Sequence, residues 1–327
     1  MKKQLLTLML CASLTAAACG TEVPQTSVSS DETTVSESVE NKTSEVSAEP
    51  VPASNTDEAK PEEKDLFEAF LNGGASVTIP ASFDNRNQSI TPVYAVGDVF
   101  TIDEISENIK PFIDRMEDAE ITEKRYYAEL DNEGKKALAV MFEYSGSYDI
   151  STELLLIVAN DKGELEAKLA IDGWSRKYAY FDVMGVLYDG GSNGAASHSG
   201  EVIAPNADFD YTALYNFEEV GAGFEFSADD ERSTLVNEIN REITERFAES
   251  DVIYKLYFVY DKVGDEVFVS YSCEDPEIAS AVEEAASARN LTFDDPDAYK
   301  AAVDARVKSL DLYYPEGEAE PVKWIEY

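Results

Sequence analysis

Two stretches constrain the fold more than anything else in the chain. They are "RYYAELDNEGKKALAVMF", residues 125–142, and "ELLLIVANDKGELEAKLAI", residues 153–171. Each is a pair of apolar, alternating runs around a short Asp/Asn turn ending in glycine. Alternation with a period of two puts one face of each run on a core, and the turn residues supply the backbone angles a tight reversal needs. Two hairpins are therefore expected. The runs "KYAYFDV", "GVLYDGG", "HSGEVIA" and "DFDYTALYNF" continue the pattern. Residues 125–226 read as an antiparallel meander of about six to eight strands.

Helical spacing appears on both sides of this meander. "PEEKDLFEAFLNGG" places Pro61 at a first helical position, with Leu66, Phe67, Phe70 and Leu71 on one face and Gly73 as a stop. In "TIDEISENIKPFIDRM", Thr101 and Glu104 form a capping box, Ile105, Ile109, Phe112 and Met116 recur at helical spacing, and Pro111 kinks or divides the helix. Further on, Leu235, Ile239, Ile243 and Phe247 make one helix face, and "VIYKLYFVYDKVGDEVFVSYS" is a hairpin. Asp275-Pro276 and Asp295-Pro296 each read as an N-cap followed by proline, opening helices over 276–289 and 296–309. "PVKWIEY" adds a last short strand. The expected class is α+β: an antiparallel sheet with helices packed on it over residues 61–327, divisible into 61–226 and 227–327.

The beginning of the chain has a different character. Lys2 and Lys3 precede an apolar stretch from Leu5 to Leu14 and then small residues, the layout of a secretory leader. That stretch is about half of the roughly 20 residues needed to span a bilayer. Ala16-Ala17-Ala18-Cys19 resembles the lipobox of bacterial lipoproteins, although that family most often has leucine where Ala16 stands. The resemblance implies a signal peptide over 1–18, a diacylglyceryl group on the Cys19 thiol and cleavage just before it. An ordinary Ala-x-Ala cleavage would leave Cys19 free. Residues 19–60 are rich in Ser, Thr, Val, Pro and Glu and almost lack large apolar side chains. Such a composition cannot offset its ordering entropy, so a disordered acidic linker is expected. As a flexible coil it would reach on the order of 35 Å.

Charge narrows the function classes. The formal net charge is -40, and loss of Lys2 and Lys3 with a leader leaves 24 basic against 66 acidic residues. Such a field repels phosphate polymers, which excludes nucleic acid as an expected partner; a cationic ligand or calcium is compatible with it. The cysteines are Cys11, Cys19 and Cys273, too few after processing for a disulfide framework. Cys273 reads as a small, partly buried side chain.

The turn Asp131-Asn132-Glu133-Gly134 resembles the Asp-rich turn of FG-GAP or VCBS-type repeats. "FDVMGVLYDGGSNGAASHSGEVI", the helix near 296–309 and the terminal "PVKWIEY" resemble a group of uncharacterised lipoproteins of anaerobic Firmicutes, over about residues 65–327 plus the lipobox. That resemblance implies localisation and architecture and no particular reaction. The FG-GAP likeness implies calcium at Asp131 and Glu133; a solvated hairpin turn is the ordinary alternative, and Ala137 stands where such repeats often keep an acid. A closed propeller is not expected from one copy.

Few residues point to chemistry. "GGSNGAASH", residues 190–198, lacks the Gly-Lys-Ser/Thr ending of a phosphate loop and precedes a strand-like run, so a flexible turn between strands is expected there. Glycines let a partner approach the backbone, so Asn193 and His198 could line a ligand site. His198 is the only histidine; beside Ser197 on a strand it would point to the opposite face, which argues against a catalytic triad. Zinc lacks ligands. Trp174, Tyr178, Tyr180 and Tyr188 lie on adjacent runs and could form a carbohydrate platform, or could serve only as cross-strand pairs. The expectation is an anchored, non-enzymatic envelope protein that binds a ligand or partner. The alternative is an envelope glycan hydrolase using paired carboxylates.

Overall fold

Both hairpins close where the Asp/Asn-Gly turns stand. Gly134 and Gly163 adopt φ of +94° and +78°, a region that side chains with a Cβ avoid. Asp131 Oδ1 accepts the Gly134 N–H at 2.7 Å, and Asn160 Oδ1 accepts those of Lys162 and Glu164 at 2.9 and 3.0 Å. The computed structural model describes residues 63–327 apart from 89–92, 114–121, 133, 147–149, 195, 251 and 316–319. The leader 1–18, Cys19, the linker 19–60, Pro61, Met116 and Glu133 lie outside the described residues.

The chain begins with α1 (Glu63–Leu71), three short strands, β1 (Val77–Thr78), β2 (Asp84–Asn85) and β3 (Val99–Phe100), and α2 (Ile102–Ile113). The capping box of α2 is made, with Thr101 N–H donating to Glu104 at 2.8 Å and Glu104 N–H to Thr101 Oγ1 at 3.3 Å. Pro111 stands inside this helix. The meander follows: β4 (Thr122–Asn132), β5 (Lys135–Ser145), β6 (Ile150–Ala159), β7 (Leu165–Trp174), β8 (Lys177–Phe181), β9 (Leu187–Gly194), β10 (Ser197–Pro205) and β11 (Tyr211–Gly221). Then come α3 (Glu231–Arg246), β12 (Tyr257–Val263), β13 (Glu266–Ser272), α4 (Pro276–Ala288), α5 (Pro296–Leu310) and β14 (Ile325–Glu326). Asp275 and Asp295 cap α4 and α5 with their side chains. The fold is α+β.

Strands pair in the order β13-β12-β11-β10-β9-β8-β7-β6-β5-β4-β14. The link between β7 and β8 is a single pair, Trp174↔Lys177. The reason is that β1 and β2 already occupy the outer edge of β7, in parallel, at Leu165–Glu166 and Leu169–Ala170. β8 therefore meets β7 only at its end and swings away, and the sheet folds back on itself. Leu130, Leu154, Leu156 and Ile171 from one half pack against Phe181, Leu187, Ile203 and Phe209 from the other. Helices α1 and α2 cover the outer face of the first half through Phe67, Phe70, Ile105 and Ile109. Helices α3 and α4 pack on Phe258 and Val269. Helix α5 covers the opposite face at Val202, Val263, Tyr188 and Tyr215. β11 pairs with β12 from Asn216↔Lys262 to Gly221↔Tyr257, so the sheet is continuous across residues 226/227. Among the described residues no helix is long and apolar enough to cross a membrane.

Candidate functional site

The glycine-rich stretch is not the flexible turn its composition implied. Gly190, Gly191 and Gly194 are strand residues of β9, and β10 begins at Ser197. The strands need glycine there because other groups occupy the space of a side chain. A Cβ on Gly190 would collide with the end of the Tyr178 ring, and one on Gly200 with the Phe217 ring and the Asp189 carbonyl. One pairing row runs Tyr178–Gly190–Gly200–Phe217–Asp261 across five strands. Directly paired residues share a sheet face. Two aromatic rings thus lie over a pair of glycines, Tyr178 reaching in from β8 and Phe217 from β11.

This shelf is open. Tyr178 is 50% exposed, and Phe217, Glu219, His198 and Ser192 are all partly exposed. α5 covers the neighbouring rows through Tyr188, Val202 and Tyr215 and reaches the Asp261 end of this row through Tyr299, which packs on Phe268, the partner of Asp261; Tyr178 and Phe217 keep partial exposure. Tyr180 belongs to the covered side and stacks on Tyr188 at 5.0 Å and 9°, the cross-strand pairing that aromatics in strands ordinarily make. Tyr178 sits 6.1 Å from Tyr180. Burial, followed by the charges of Tyr180, Asp189 and Glu219, raises the Tyr178 phenol above its ordinary pKa.

The expected ligand-binding residues divide between two faces. His198 pairs with Ser192 and Glu219 and shares the shelf face, one alternation from Gly200. Asn193 is the bulged residue of β9; its Nδ2 donates to Ser199 Oγ at 2.8 Å, on the face turned away from the shelf. Trp174, at the end of β7, has Lys177 Nζ 5.4 Å from its ring centroid. Asp131 is exposed and closes its turn by the bond to Gly134. Among the described residues no group of three or more His, Cys, Asp or Glu side chains could hold a metal ion. Cys273 is free and partly buried, with its thiol 3.5 Å from the Asp275 carbonyl.

A second polar cluster escaped the sequence entirely. It fills the hinge where β8 leaves β7. Lys177, 7% exposed, bonds Asp172 at 3.0 Å and approaches Asp189 at 3.8 Å. Gln88 N–H donates to both Asp172 oxygens at 3.1 Å. Glu153, paired with Asp172 across β6 and β7, accepts Asn87 Nδ2 at 2.8 Å. Arg86 bonds Asp84 at 2.7 Å and also pairs with Glu201 on β10. Burial raises the Glu153 carboxyl to about 8, the Asp172 charge adds to the rise, and Asn87 and Tyr94 oppose it. Glu153 and Asp172 are the kind of carboxylate pair a hydrolase would use, yet they are 0% and 1% exposed. With no solvent access to either, the pair rivets the hinge and does not face a substrate. No sequence spacing announces this cluster, because its members come from six strands and the segment 86–88.

No family model matches the chain, no curated protein matches it, and no solved structure does either.

Proposed function

We propose that the chain is a lipid-anchored binding protein of the cell envelope, held at the membrane through Cys19 and contacting its ligand with the shelf of Tyr178 and Phe217. The observation that carries the binding reading is the row Tyr178–Gly190–Gly200–Phe217. Its two rings lie over glycines on an open sheet face, a surface that offers ring faces with no intervening side chain. The anchoring reading rests on Ala16-Ala17-Ala18-Cys19 and on the acidic stretch behind it, which would hold a folded part away from anionic headgroups.

Each part has its own test. Cys19→Ser should abolish incorporation of labelled fatty acid and leave the protein uncleaved or soluble; unchanged labelling would sink the anchor. For binding, the full-length chain is profiled by thermal shift against envelope glycans and muropeptides. Gly190→Ala is the informative variant: the three atoms nearest its Cβ all belong to the outer end of the Tyr178 side chain, so the ring is expected to swing off the shelf. A ligand of the shelf should lose most of its affinity with Gly190→Ala and with Tyr178→Ala. A ligand indifferent to both binds elsewhere.

A further inference from the structure

Taking the shelf as the binding surface, we infer that its ligand presents an organic ammonium group, primary or quaternary, to the rings of Tyr178 and Phe217, with Glu219 and Asp261 as counter-charges. The ring faces are the first element. An aromatic face carries negative potential and attracts a cation placed within about 6 Å of its centroid. Tyr178 and Phe217 have their rings over Gly190 and Gly200, and no Cβ stands between them on those two strands.

Two carboxylates flank Phe217 on the same face. Asp261 is its direct partner across β11 and β12. Glu219 lies two residues along β11, where alternation returns the side chain to the same side. Among the described residues neither carboxylate has an ion pair or hydrogen-bond partner. Both are partly withdrawn from water. Asp261 is raised to about 7 by burial alone, and the Glu219 charge is close enough to act on the Tyr178 phenol.

The same face is poor in cations of its own. Strands β8–β13 contain two Lys or Arg residues, Lys177 and Lys262, and one histidine, His198, which stands opposite Glu219 on the shelf face. Lys177 is engaged inside the hinge, and Lys262 alternates to the opposite face from Asp261. Arg176 is exposed on the hinge turn, beside Ser192. A neutral sugar could stack on the rings but would leave Glu219 and Asp261 more desolvated and still unpaired, an unfavourable exchange. An ammonium satisfies rings and carboxylates together, and a chain of net charge -40 draws cations towards it.

The test compares choline with 3,3-dimethylbutan-1-ol, its uncharged isostere, by calorimetric titration of the full-length chain. Choline is expected to bind at least about tenfold more tightly than the isostere. Glu219→Gln and Asp261→Asn should each weaken choline by about threefold or more, while Asp265→Asn, on the turn between β12 and β13, should leave it unchanged. Equal binding of choline and isostere, both lost in Gly190→Ala, would overturn the cation inference and keep the shelf as a binding surface. The inference also fails if choline shows no saturable binding below about 10 mM, or if Asp265→Asn weakens it as much as Glu219→Gln does. Choline binding that survives both Gly190→Ala and Tyr178→Ala would overturn the inference and the shelf together.

Discussion

Glu153 carries its carboxyl into a wholly buried site, where Asn87 Nδ2 donates to it at 2.8 Å. Its folded pKa of about 8 stands above the ordinary carboxylate value near 4.3. Folding therefore favours the protonated form. That contribution is fully present below about pH 4 and is lost as pH rises towards 8. Asp182, raised to about 6 by burial, and Asp189 act in the same direction. Urea midpoints should fall between about pH 5 and pH 8, and Glu153→Gln should flatten part of that slope. At pH 8 the variant should exceed the native chain by on the order of 1–3 kcal/mol. An unchanged slope would mean that Glu153 ionises freely in the folded state. Lys177→Met tests the other half of the cluster. It leaves Asp172 and Asp189 without their buried cation, and a loss of about 3–5 kcal/mol is expected in the same urea titration.

Elements whose determinants are local were legible in the sequence, and a mutation there acts locally. Asp275 and Asp295 were read as caps from the Asp-Pro pairs alone; Asp275→Ala should cost about 1 kcal/mol in thermal or urea unfolding. The hairpins at Gly134 and Gly163, the capping box at Thr101 and Glu104, and the last strand at Ile325 were legible for the same reason. What could not be read was anything set by distant pairing. Arg86 and Glu201 are 115 residues apart, and the two-residue strands β1 and β2 give no periodic signal, yet they turn β8 away from β7. The glycines at 190–194 looked like a loop because glycine weakens an isolated strand; the Tyr178 ring makes glycine necessary at 190, and the Arg176 carbonyl makes it necessary at 191. The C-terminal segment shows the same dependence on context. Val322 N–H donates to Phe181 O at 3.0 Å, Ile325 pairs with Tyr127, and Val322 is buried in the core between the two halves. The segment thus ties β8 to β4 across the open side of the fold. Val322→Asp should destabilise the whole fold and not the last strand alone, with hydrogen-exchange protection falling in both β4 and β8; loss confined to residues 320–327 would show that the strap merely rests on the surface.

At the scale of the whole molecule, 66 acidic residues face 26 basic ones. Salt acts on such a chain in two opposed ways. It weakens exposed ion pairs, among them Lys64–Glu68, Lys255–Glu274 and Arg246–Glu284, each worth about 0–1 kcal/mol. It also screens repulsion among the acids that have no cation to meet, and these outnumber the paired ones. The buried Lys177–Asp172 bond is largely shielded from mobile ions and enters neither side of the balance. Repulsion should therefore win, and raising sodium chloride from about 20 mM to about 500 mM, where the screening length falls from roughly 20 Å to about 4 Å, should raise Tm. The effect should be steeper at pH 8 than at pH 5, since the partly exposed Asp261 gains charge across that interval as its pKa of about 7 is passed. A Tm that falls with salt would mean that the exposed ion pairs, not the unpaired acids, govern the balance. The comparison also bears on the shelf. Choline at low salt should raise Tm in the native chain and much less in Glu219→Gln, whereas sodium chloride should act on both alike, because it screens the whole surface and has no preference for a ring face.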